Sequence, residues 1–192
     1  MKTTRLEAFS DGVFAIIITI MVLELKVPHG ADWEALRGVV PRFMVYVLSF
    51  IYIGIYWNNH HHMLHLTEHV NGAIMWANLH LLFWVSLTPV VTAWLGENHT
   101  EPVPTAIYGV VLLCAGLAYL VLQGAIIRQQ GPHSKLALAV KHDVKGKLSL
   151  AMYLSGILLA FVNQAVSDVI YATVAAIWLV PDKRIESQLH ER

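Results

Sequence analysis

Six apolar runs, separated by polar stretches, cover residues 6–25, 41–62, 73–95, 106–127, 148–162 and 166–180. The first four are long enough to cross a bilayer as helices, which takes about 20 residues at 1.5 Å each. The last two are shorter, and Asn163, Gln164, Ser167 and Asp168 between them predict a tight helical hairpin that is tilted, thinned or shielded by its neighbours. The alternative is a re-entrant hairpin beside four spans. The expected architecture is all-α, a polytopic membrane protein with six transmembrane helices forming a single domain over residues 1–192. Pro89, inside the third run, predicts a kink.

The first run departs from a simple span. Between Asp11 and Glu24 only the stretch 12–23 is free of charge. That stretch makes about 18 Å of helix against roughly 30 Å of hydrocarbon. On a wheel at 100° per residue counted from Asp11, Leu23, Ile16, Phe9 and Ile20 fall between about 120° and 180°, with Thr19 at the edge near 80°. One face is thus a row of apolar side chains and the opposite face carries an acid. Periodicity alone favours packing of both faces against other helices, with a stripe that lines and narrows a conduit as the alternative. No internal repeat supplies a second copy of this helix, so a conduit needs several chains around one axis.

The composition is 56% hydrophobic and 14% charged, against about a quarter charged in soluble domains, and the formal net charge is zero. A nucleic-acid partner is not implied. Cys114 is the single cysteine, which excludes an intrachain disulfide. Met1, Lys2 and Arg5 before an apolar run superficially resemble a secretory leader, but Asp11 interrupts the run and no small-residue cleavage site follows, so the segment is expected to be retained. With the N-terminus inside, the inner segments hold Lys2, Arg5, Arg128, Lys135, Lys141, Lys145, Lys147, Lys183, Arg184 and Arg192, and the outer ones Lys26, Arg37 and Arg42. That bias predicts a multi-pass cell-membrane protein with both termini in the cytoplasm.

Asp11, charged and unpaired in a low-dielectric site, would be prohibitively costly, so it needs a partner or a proton. Arg5, Asn58, Asn59, Asn78 and the histidines are available. An interhelical polar tie is the plain reading; a proton-conducting or proton-coupled carrier using Asp11 and the histidine cluster is the rival. His61, His65 and His69 repeat every four residues and, if the helix continues, share a face, a spacing that suits either interfacial anchoring or a transition metal. His80 opposite His61 or His65 gives an axial pair for a haem, with nothing else in its support. A phosphate loop, a nucleophile elbow and a catalytic acid pair are absent, so an enzyme is not expected, and neither a metal nor a cofactor is.

Arg5, Phe9, Ser10 and Asp11 together resemble the Arg-x-x-x-Phe-Ser-Asp signature of bacterial homologues of the lysosomal potassium channel transmembrane protein 175. Gly54, Ile55, Tyr56, Trp57, Asn59, His60 and His61 look like that family's aromatic-Trp followed by Asn-His-His, and Asn78, Leu87, Thr88 and Pro89 like its third-segment positions. The resemblance implies a homotetramer of six-helix subunits whose first helices line a weakly selective, potassium-permeable cation pore. It implies a narrowest ring at Ile16, followed by Ile20 and Leu23, with Thr19 beside them. It also implies that Arg5, Phe9, Ser10, Asp11, Asn59, His60, His61 and Asn78 hold the pore helix in place.

Overall fold

A computed structural model describes residues 3–140 and 143–179. Of the charges weighed for orientation, Lys2, Lys141, Lys183, Arg184 and Arg192 lie outside the described residues, as does Val180 at the end of the sixth run. The described residues form eight α-helices: α1 (Thr3–Leu23), α2 (Trp33–His65), α3 (Gly72–Ser86), α4 (Thr88–Glu97), α5 (Pro102–Gln130), α6 (Lys135–Val140), α7 (Val144–Leu159) and α8 (Gln164–Leu179).

Each expected run falls on helix, but the count and several ends differ. The second helix starts at Trp33 rather than at Pro41, because the Asp32 carboxylate caps it by accepting the Ala35 N–H at 2.8 Å. A side-chain oxygen there satisfies a backbone donor that the first turn leaves open. Glu34 stands in that first turn, where the helix dipole favours an acid. The helix α2 has 33 residues and carries Pro41 in its interior. At 1.5 Å per residue it is about 50 Å long, more than the hydrocarbon needs. The third run is two helices, because Pro89 has no N–H to continue the ladder. The chain tightens there into a shorter turn, with the Leu87 N–H bonded to the Trp84 carbonyl at 3.2 Å. The short α6 has no counterpart among the apolar runs. Among the described residues, four stretches are long and apolar enough to cross a membrane: 3–23, 33–65, 72–97 and 102–130. Helices α7 and α8 have 16 residues each, which reach about 24 Å.

The middle helix of the bundle is α5, which packs on α3, α4 and α7, while α1 lies against α2, α3 and α4. Two cores result. One gathers Phe14, Ile17 and Met21 of α1 with Ile53, Met63, Ile74, Leu81 and Leu122. The other is built around Tyr52, Tyr108, Tyr153 and Tyr171. Close approach in this second core depends on glycine: a Cβ on Gly109 would stand 2.0 Å from the Tyr171 hydroxyl, and one on Gly156 2.5 Å from the same ring.

Candidate functional site

The candidate site is α1, and its sequence divides it lengthwise. Leu6, Ser10, Phe14, Ile17 and Met21 recur at helical steps of three or four, and all are buried on a helix packed against α2, α3 and α4. The other side is open in the single chain: Phe9 is 53% exposed, Ile16 58%, Ile20 44% and Leu23 80%, against 1% for Phe14. Beside that apolar row runs a strip of exposed small residues, Ala8, Gly12, Ala15 and Thr19. The exposed Thr19 hydroxyl donates to the Ile16 carbonyl at 2.8 Å.

Three polar ties hold α1 to its neighbours, two of them at the partly exposed edge of the packed side. The Glu7 carboxylate meets Nδ1 of His61 at 2.8 Å, and one turn further along both helices the Trp57 indole N–H donates to the Asp11 carboxylate at 3.0 Å. A step of four on α1 thus matches a step of four on antiparallel α2. The third tie is fully buried and directional. Ser10 donates to the Leu6 carbonyl at 2.8 Å and accepts from Nδ2 of Asn78 at 3.0 Å. A hydroxyl has one proton to give, so having spent it on Leu6 the serine can only accept from the amide. Oδ1 of Asn78 is left to accept from Nε2–H of His60 at 2.7 Å, which assigns the tautomer of that ring from its network. The His60 ring also meets the edge of Phe14, with centroids 5.5 Å apart.

Not every expected anchor joins this cluster. Arg5 is exposed, and so is Phe9. The Asn59 amide bonds the Ile55 carbonyl of its own helix at 2.9 Å, so of the Asn59, His60, His61 run only the two histidines reach the α1 ties. The partner of Asp11 is Trp57, absent from the five kinds of partner weighed for it; the signal was the matched spacing of Glu7 with Asp11 and of Trp57 with His61. The rings of His61 and His65 stack at 6.2 Å, and no group of three or more metal-ligating side chains occurs among the described residues. His80 takes the Trp84 indole N–H on Nε2 at 3.0 Å, the nitrogen a haem would need.

The far end of α1 is fastened too. Lys26, just past the helix, pairs with Glu97 at the end of α4, and Arg42 of α2 lies 3.6 Å from the same carboxylate. A helix pinned at both ends and along one side, with its apolar opposite side bare, is arranged to present that side to something outside the chain.

A potassium channel of Chryseobacterium sp. (strain P1-3) is 52% identical over 191 residues, covering all of both chains. The family model for the endosomal/lysosomal potassium channel TMEM175 matches residues 5–89. The chain belongs to the TMEM175 family. The crystal structure of a lysosomal potassium-selective channel TMEM175 homolog from Chamaesiphon minutus is similar over 94% of this chain and 97% of that one, with a TM-score of 0.81 at 28% identity. The human endosomal/lysosomal proton channel TMEM175 is 35% identical over 96 residues, which are 43% of this chain and 19% of the human protein. As a TMEM175-family chain with several apolar helices, the molecule is a multi-pass membrane protein. Residues 5–89 take in α1, α2, α3 and the start of α4, which are the elements joined by the ties described above.

Proposed function

We propose that this TMEM175-family protein is a potassium-permeable, weakly selective cation channel in which four copies of the chain surround one axis lined by α1. The observation that carries this reading is the exposed row of Ile16, Ile20 and Leu23 on a helix whose other side is tied to the rest of the subunit. Each of these residues forms a ring of four apolar side chains, narrowest at Ile16. Ala8, Gly12 and Ala15 lie on the neighbouring strip of α1, where small side chains let the next subunit approach closely. In the subunit α7 and α8 complete six crossings with α1, α2, the α3 and α4 pair, and α5, and both termini are cytoplasmic, as the Lys and Arg bias favours.

An apolar ring offers no oxygen to replace an ion's water. A cation passes when the ring widens enough to admit it partly hydrated, and a narrow ring dewets and closes. The ion that is cheaper to dehydrate is then favoured, which gives potassium a modest advantage over sodium. Exposed Glu24, one residue beyond Leu23, raises the local cation concentration at that mouth. Asp11 faces Trp57 on the opposite side of the helix and acts as a fastener, not an ion ligand.

A second reading, proton conduction along Glu7, Asp11 and the histidines, is favoured by the Glu7 to His61 contact and by the human relative's name. Flux from liposomes holding the purified channel under potassium, sodium or proton gradients separates the two. The channel reading expects potassium flux above sodium flux, retained in Asp11→Asn; proton flux without potassium flux, lost in Asp11→Asn, would contradict it.

A further inference from the structure

Helices α2, α5, α7 and α8 line a partly open cavity of about 60 Å³. Its walls include the rings of Tyr56, Tyr119, Tyr153 and Trp178, and Asp143 stands among them at the start of α7. The rings of Tyr56 and Tyr119 meet at 61° with centroids 6.4 Å apart. The polar tips of three of these rings are occupied elsewhere: the Tyr119 hydroxyl donates to the Asn59 carbonyl at 3.3 Å, the Tyr56 hydroxyl to the Leu112 carbonyl at 3.5 Å, and the Trp178 indole N–H to the Ser149 hydroxyl at 2.8 Å. What remains for an occupant is aromatic surface, aliphatic surface from Ile55, Leu120 and Leu150, the Asn59 amide and one carboxylate, of which Oδ1 accepts the Gly146 N–H at 2.8 Å.

The geometry points to this cavity as a binding site for a methylated ammonium group. Aromatic faces attract cations through their quadrupole, and several rings around one space hold a cation that carries its charge on methyl groups. A strongly hydrated cation such as sodium or a bare ammonium would find few oxygens here to replace its water, whereas a trimethylammonium group sheds little. The Asp143 carboxylate caps α7, supplies the opposite charge and offsets the positive end of that helix, which would otherwise repel a cation. The Lys145 ammonium lies 6.0 Å from the Trp178 ring centroid, so an incoming cation shares that indole with a lysine and relies on the tyrosine rings and on Asp143. The occupant is either a soluble choline-like cation or the headgroup of a phosphocholine lipid. The site is separate from the proposed pore, and its proximity to Asn59, next to His60, places it one residue from an α1 anchor.

The test is thermal unfolding of the full-length channel in phosphatidylglycerol nanodiscs titrated with choline or with its neutral isostere 3,3-dimethyl-1-butanol. Choline is expected to raise the midpoint saturably, and the isostere not to do so at equal concentration. Trp178→Leu and Asp143→Asn should weaken the choline response about tenfold, and the milder Trp178→Phe about threefold. In phosphatidylcholine nanodiscs a lipid occupant would cancel the response to added choline in the wild-type protein, and a soluble occupant would leave it; both outcomes support the site. Equal stabilisation by the isostere, a choline response unchanged in both Trp178→Leu and Trp178→Phe, or no response to choline in phosphatidylglycerol would overturn it.

Discussion

Phe9, Ser10 and Asp11 are consecutive, yet a turn of 100° per residue gives them three environments. Phe9 is exposed on the free face, Ser10 is fully buried in the chain that runs from His60 through Asn78 to Leu6, and Asp11 is partly buried against Trp57. The middle residue therefore carries the largest penalty for change. Ser10→Ala removes the acceptor of a buried amide donor, which costs about 1–2 kcal/mol. The loss should appear as a lower unfolding midpoint of the purified protein, with ion selectivity unchanged. The acid was conspicuous in the sequence because charge in an apolar run is rare, whereas the serine stood out only through the family signature. Burial of Ser10 depends on which side of α1 meets Asn78, a residue 68 positions away. The hydropathy pattern pointed at Asp11, and the buried polar chain runs through its neighbour.

At the scale of elements, helical spacing grouped Phe9, Ile16, Ile20 and Leu23 on one side of α1, but the buried side is mainly apolar too, so hydropathy alone did not say which side meets the subunit. The ends of the other helices were less legible. A capping carboxylate at Asp32 starts α2 within a charged stretch, and one proline stops a helix at Ser86 while another, Pro41, sits inside α2. The difference lies in surroundings that hydropathy does not encode. The tyrosine core was also out of reach, since Tyr52, Tyr108, Tyr153 and Tyr171 come from four separate runs. Its tolerance is correspondingly narrow. Gly109→Ala puts a methyl group onto the Tyr171 ring. Overpacking of that kind should cost about 1–3 kcal/mol, read as a fall in the thermal midpoint.

For the whole molecule, the bare face of α1 matters only if several chains share it. Gly12 separates folding from assembly, because in the single chain no atom comes within 4 Å of where its Cβ would be. Gly12→Leu should leave the subunit folded and prevent close approach of neighbouring α1 helices, so light scattering in detergent should report a monomer with normal helix content where the wild-type protein is expected to report a tetramer. Given a tetramer, the central claim is that Ile16 forms the constriction. Single-channel recording in planar bilayers with potassium and sodium on opposite sides tests it most directly. A polar side chain in the ring eases wetting, so Ile16→Asn is expected to raise conductance several-fold and to move the reversal potential toward that of a channel that does not distinguish the two ions. Conductance and reversal potential both unchanged in Ile16→Asn would contradict the account.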